Sequence, residues 1–123
     1  MANRNEFSRG DRVRKAIIRE FSDILIRDVK DPRLAECLIS VTDAELSGDM
    51  RYARIFISIM GDDSFKEEIK TILDEHVPKI RHAIGQRIRL RYTPEIELRL
   101  DHSLERGARV TQLLNQISSG ELP

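Results

Sequence analysis

The stretch LISVTDAELSGDMRYARIFISIM, Leu38–Met60, carries the period-two signal that decides the fold class. Over residues 38–46, Ile39 and Val41 alternate with Ser40 and Thr42. Over residues 52–60, Ala53, Ile55, Ile57 and Ile59 alternate with Tyr52, Arg54, Phe56 and Ser58. Such alternation puts one set of side chains on each face of an extended chain. Ser47-Gly48-Asp49-Met50 between the two runs has turn chemistry, so the pair reads as a hairpin. The second strand is apolar at most positions of both faces, which places it deeper in the sheet.

Upstream, the spacing changes to that of a helix. Ser8 and Asp11 form a weak capping pair. Val13, Ile17, Phe21 and Ile24 then make one apolar stripe, widened by Ile18 and Leu25, with Arg12, Lys15 and Arg19 on the opposite face. Pro32 disfavours helical geometry at Asp31, so this helix should stop near Lys30. Downstream, Ser64 and Glu67 form a full capping box for a second helix. Its inner face carries Phe65, Ile69, Ile72, Leu73 and His76, and its acids cover the outer face. Pro78 interrupts the pattern, and Ile80 and Ile84 resume it. The spacing therefore predicts two helices joined by a sharp kink at His76-Val77-Pro78.

Arg87-Ile88-Arg89-Leu90-Arg91-Tyr92 has strict period two, which by itself reads as extended chain. Pro94 ends it, and Ile96, Leu98 and Leu100 alternate as a third strand. Ser103 can cap a last helix bearing Val110, Leu113, Leu114 and Ile117. A three-stranded sheet with helices on one face buries all these stripes in two layers, an α+β fold.

The chain has 123 residues, enough for one domain. Residues 8–117 form it, between flexible ends at 1–7 and 118–123. Cys37 is the single cysteine, which excludes an internal disulfide framework and a cysteine-cluster zinc site. No apolar run approaches the roughly 18 residues of a membrane span. The first residues, Met1 to Glu6, have no apolar core and do not read as a secretory signal. A small soluble cytoplasmic domain is the expected class.

Charge is balanced overall, 21 bases against 21 acids, but segregated along the chain. Residues 1–19 hold Arg4, Arg9, Arg12, Arg14, Lys15 and Arg19 against Glu6 and Asp11. Residues 79–91 hold Lys79, Arg81, Arg87, Arg89 and Arg91 with no acid. Residues 62–75 hold six acids against Lys66 and Lys70. The separation predicts a strong electrostatic dipole. Arginines outnumber lysines sixteen to five, a bias suited to bidentate contacts with phosphate or carboxylate.

The element order matches a type II KH domain, α-β-β-α-kink-α-β, with a C-terminal helix added. Three pieces of sequence make the match more specific: Asp31-Pro32-Arg33; Arg89-Leu90-Arg91-Tyr92-Thr93-Pro94-Glu95; and Asp101, Ser103 and Gly107 followed by Leu113-Leu114. Ile80-Arg81 ahead of Gly85 also fits. In these features, from about residue 8 to 117, the chain resembles the ribosome-binding factor A family of bacterial small-subunit assembly factors. KH domains grip single-stranded RNA at a Gly-x-x-Gly loop. The resembled family usually has an Ala-x-Gly kink there, and the positions matched to it, His76-Val77-Pro78, carry neither pattern. The resemblance also prefers helix to about Ile88, with extended chain from Arg89. It implies a monomer that binds the free 30S subunit and assists its late maturation. It further implies support of 16S rRNA processing at the 5′-terminal helix region, and a role in cold adaptation.

Two readings of the basic segments stand side by side. Lys79, Arg81, Arg87, Arg89 and Arg91 form either a phosphate-tracking ridge or a charged sheet edge that resists aggregation. Extended, Arg87, Arg89 and Arg91 would point one way about 7 Å apart, near phosphate spacing. Arg12, Lys15 and Arg19 form a second ridge or simply the polar face of an amphipathic helix. There is no Trp, and the six aromatics fall mostly on apolar stripes, so base stacking is poorly supplied; Tyr92 is the plausible exception, although a core or sheet-face role suits it better. His76, His82 and His102 do not complete a metal set, and His76 reads as a packed histidine. Cys37 reads as a small buried hydrophobe, and Asp62-Asp63 as acids at a helix start. No Gly-rich phosphate loop is present. The residues thus point to a non-enzymatic RNA-binding protein without metal, cofactor or small-molecule substrate. The other readings are a KH-like module in mRNA handling and a protein-interaction adaptor using the acidic helix 64–76.

Overall fold

A computed structural model describes residues 9–101, from the first helix to the end of the third strand. The Leu38–Met60 stretch folds as read: β1 spans Ile39–Leu46 and β2 spans Tyr52–Ile59. They pair antiparallel from Ile39↔Ile59 to Leu46↔Ala53, with a bulge between Val41 and Asp43. The turn is closed by Ser47 N–H to Tyr52 C=O at 2.9 Å. Asp49 Oδ1 accepts from Ser47 Oγ at 2.7 Å and from the Arg51 amide at 3.1 Å. These bonds hold the Asp49 carboxyl below its usual range.

β3, Glu95–Leu100, lies on the other side of β2 and runs parallel to it, from Tyr52↔Glu95 to Ile57↔Leu100. The strand order β1-β2-β3 puts the most apolar strand in the centre. The bulged Thr42 donates to Asp101 Oδ2 at 2.7 Å, and the Asp101 amide donates to Ile57 C=O at 2.7 Å. These two bonds tie the end of β3 across β2 to β1.

Two helices cover one face of the sheet. α1, Arg9–Arg27, buries Val13, Ile17, Phe21 and Ile24, the stripe read from its spacing. α2, Asp63–Arg87, buries Ile69, Ile72, Leu73, Ile80 and Ile84. These side chains meet Ala53, Ile55, Ile57 and Ile59 of β2 in one core. Tyr52 and Arg54, at alternate positions, remain exposed.

α2 corrects two expectations. Its cap is Asp62, whose Oδ1 accepts the Phe65 amide at 2.8 Å, and not Ser64. Gly61, at φ +145, makes the bend from β2 that sets Asp62 in place. The predicted division into two helices at His76-Val77-Pro78 is not made: α2 is one helix through Pro78. The ring of Pro78 is exposed, and so is Asp74, whose carbonyl loses its partner to proline. Water can satisfy that carbonyl, and the buried residues on both sides hold one continuous register. Ala83-Ile84-Gly85, itself an Ala-x-Gly sequence, lies further along the same unbroken helix.

α2 ends where the resemblance places it, with Ile88 extended and its amide bonded to Ile84 C=O. The chain then crosses back over the helix to enter β3. Arg81 Nε donates to Pro94 C=O at 2.9 Å, and its terminal amino group donates to Thr93 C=O at 2.8 Å. One turn later, a Cβ on Gly85 would lie 2.6 Å from Thr93 Oγ1. Arg81 and Gly85 share a helix face, so one anchors the crossing chain and the other makes room for it. The helix expected over Ser103, Val110, Leu113, Leu114 and Ile117, and the flexible ends expected at 1–7 and 118–123, lie outside the described residues.

Two stability outcomes follow. Pro78→Ala restores a helix hydrogen bond at an exposed position and should stabilise the domain by about 1–3 kcal/mol. Thermal melts followed by circular dichroism check this, and an unchanged or lower melting temperature would contradict it. Gly85→Ala should instead destabilise by about 1 kcal/mol, because overpacking of roughly 1–3 kcal/mol outweighs the propensity gain. Its cost should shrink in a Thr93→Ala background, as a double-mutant cycle in urea will read.

Candidate nucleic-acid interface

The 25 residues of α2 span about 37 Å at 1.5 Å each. Asp62, Asp63, Glu67 and Glu68 cluster at its start, and Arg87, Arg89 and Arg91 at and beyond its end. The charge separation in the sequence is therefore a separation in space, in the sense the helix dipole favours.

The arginines read as one ridge divide into two groups. Arg81 is committed to the carbonyls of Thr93 and Pro94, with Glu95 at 3.4 Å. Arg87 closes the helix and does not extend the row of Arg89 and Arg91. It binds Asp23 at 2.7 Å, Asp28 at 2.9 Å and Glu20 at 3.1 Å, clasping α2 to α1. Asp23 and then Glu20 hold its guanidinium above the usual range. Lys79, Arg89 and Arg91 are exposed and have no carboxylate partner among the described residues. On α1, Arg12, Lys15 and Arg19 are all exposed, and Arg19 has only a loose contact with Glu20 at 3.6 Å.

Sequence reasoning missed what lies at the hairpin end. Arg9 and Arg51 line a groove of about 370 Å³ with Arg91 and Tyr92. Arg9 is three residues before Arg12, so the basic row of α1 runs into this groove. Tyr92 is 49% exposed and is not a core side chain. Only the parallel pairing brings Arg51 here, through the Glu95 amide bonded to Arg51 C=O at 2.8 Å. No local sequence signal marks that neighbour.

The kink residues form no loop. His76 is half-buried and hydrogen-bonded, Val77 packs partly against the core, and Pro78 faces solvent. Cys37 is half-buried, and burial raises its thiol pKa. Asp62 and Asp63 serve the helix start, as the dipole reading had it. Among the described residues no group of three or more His, Cys, Asp or Glu side chains could hold a metal ion. None of the described helices is long and apolar enough to cross a membrane.

A family model described as Ribosome-binding factor A matches residues 9–114. The chain belongs to the ribosome-binding factor A family. A relative named Ribosome-binding factor A in Gloeobacter violaceus is 50% identical over 111 residues, 89% of this chain and 86% of that one. The crystal structure of ribosome-binding factor A from Thermus thermophilus is similar in fold, with TM-score 0.64 at 20% identity. It matches 76% of this chain and 97% of that one. A Thermus thermophilus homology model fitted into a cryo-EM map of a complex of the 30S subunit with ribosome-binding factor A aligns with TM-score 0.58 at 21% identity. It matches 72% of this chain and 91% of that one. The fold is KH-like, α+β, with its three-stranded sheet backed by two helices.

In this member of the ribosome-binding factor A family, the Asp31-Pro32-Arg33 motif has a physical role. Asp31 caps the 3-10 turn Pro32–Leu34. Its Oδ1 accepts the Arg33 amide at 3.0 Å and Nε at 3.1 Å. Its Oδ2 accepts Arg33 at 2.7 Å and His76 Nε2 at 2.8 Å. A carboxylate only accepts, so His76 is the donor. Arg33 also reaches Glu75 at 3.4 Å, so the connector after α1 is pinned to the middle of α2. The Arg33 side chain first, then His76 and the Arg33 amide, hold the Asp31 carboxyl well below the usual carboxylate range.

Asp31→Asn keeps a capping side chain but removes the charge. A carboxyl with a lowered folded pKa stabilises fully above its unfolded value, about 3.9, and loses that contribution as pH falls toward the folded value. The variant should therefore melt below the wild type at pH 7, with the gap closing as pH falls toward about 2.5. Melting temperatures measured across that range check it; a gap that widens in acid would contradict the assignment.

Proposed function

We propose that this protein binds the free 30S subunit and assists its late maturation, including 16S rRNA processing at the 5′-terminal helix region. It acts in the cytoplasm as a binding factor, with no catalytic step of its own. The observation that carries this reading is the basic groove at the hairpin end, lined by Arg9, Arg51 and Arg91, with exposed Arg12 three residues along the chain from Arg9 and exposed Arg89 two from Arg91. Membership of a family named for ribosome binding supports it, as does the likeness to a relative fitted into a 30S complex. Phosphate contacts from arginine give affinity and orientation without reading sequence. A factor that binds one RNA arrangement better than another shifts the population toward it.

Gradient sedimentation of the full chain with purified free 30S subunits tests this. The wild type should co-migrate at low salt and be released as salt rises. Arg89→Glu with Arg91→Glu should weaken binding about tenfold or more while circular dichroism shows an intact fold. Neutralising one contacting arginine should flatten the log–log salt dependence by about 0.7–0.9. Undiminished co-migration of the folded double variant would remove this surface from the interface.

A further inference from the structure

The chain has two tyrosines and no tryptophan. Both tyrosines lie at the hairpin end and both are exposed, Tyr52 by 62% and Tyr92 by 49%. The Arg51 guanidinium lies 4.8 Å from the Tyr92 ring centroid, and that of Arg91 lies 5.5 Å away. Arg9 faces the same groove, whose rim at Gly48 is open space. These guanidinium groups have little competition. Among the described residues Arg9 and Arg91 have no carboxylate partner. The nearest acid to Arg51 is Asp49, at 4.0 Å. Asp49 accepts Ser47 and the Arg51 amide at Oδ1, and only its Oδ2 faces the Arg51 guanidinium, at that long distance. A half-exposed ring with planar cations against it and a third cation nearby offers stacking and phosphate contacts together. Unpaired bases are held in this way, on aromatic rings or arginine planes. The groove is also near the lower size limit of small-ligand pockets.

We propose that this groove holds one unpaired nucleotide of the bound RNA. Its base stacks on Tyr92 and the adjoining guanidinium plane, and its flanking phosphates meet Arg9, Arg51 and Arg91. The proposal rests on the RNA-binding reading above and adds a base-dependent contact to a surface that otherwise recognises phosphate. An acidic peptide could satisfy the arginines, but it would leave the ring without a flat partner.

The test uses the full-length chain in three measurements. In a Tyr52→Phe background Tyr92 is the only tyrosine, and its fluorescence reports the groove directly. A five-residue oligoadenylate should quench it and bind roughly tenfold tighter than the same ribose-phosphate chain with an abasic centre. With binding of these variants read by anisotropy of dye-labelled oligonucleotides, Tyr92→Ala should abolish that difference, whereas Tyr92→Phe should keep it. On free 30S subunits, Tyr92→Ala should lose about 5- to 100-fold in affinity with its salt slope unchanged, whereas Arg9→Gln should flatten the slope. Equal binding of the two oligonucleotides, or equal quenching by oligoglutamate, overturns the nucleotide assignment. Subunit binding that is unaffected by Tyr92→Ala overturns it too and leaves 30S binding standing. If the wild type fails to bind subunits, the functional reading falls, and the oligonucleotide comparison still decides the groove.

Discussion

β3 runs parallel to β2, and a parallel neighbour cannot be reached by a tight turn. The chain must travel the length of the sheet and return, and α2 is that return path. This one constraint accounts for the long helical crossover and the crossing at Thr93-Pro94. A chain laid over a helix needs both an anchor and a gap, which Arg81 and Gly85 provide on adjacent turns. The hairpin-end groove is a product of the same pairing, because β3 enters beside Arg51 and delivers Arg91 and Tyr92 to it.

Arginine plays two opposed parts in this molecule. Arg33, Arg81 and Arg87 are held by carboxylates or carbonyls and join elements distant in sequence, Arg33 through Glu75. The guanidinium fork suits this role, since it satisfies several acceptors at once. Arg9, Arg89 and Arg91 have no such carboxylate partners among the described residues and face solvent or the groove. Both groups contribute to one basic stretch of sequence. Composition alone cannot separate them, because the distinction depends on which acids or carbonyls the fold brings near.

The apolar alternation of β1 and β2 and the stripe of α1 were legible because burial imposes periods of 2.0 and 3.6 directly on the residues. The central position of β2 followed from the same logic. The kink did not. Proline breaks helices on average, but here its ring is exposed and the core register on both sides outweighs one lost bond. The cap was displaced from Ser64 to Asp62 because Gly61 turns the chain earlier than the capping box suggested. At the candidate site, Arg89 and Arg91 were legible as exposed cations. What the sequence did not show is that Arg81 and Arg87 have acceptors within the fold, because those acceptors lie from 12 to 67 positions away. Arg9 was visible only as one of the bases of residues 1–19, and Arg51 not at all, because the groove that joins them is built from segments far apart in sequence.

The acids at the start of α2 and the bases beyond its end give the molecule two unlike poles. A polyanion attracts one pole and repels the other, so the approach is turned into line before contact. The acidic pole then faces outward, and a second polyanion meets repulsion there. Charge arranged this way favours contact with one polyanion at a time.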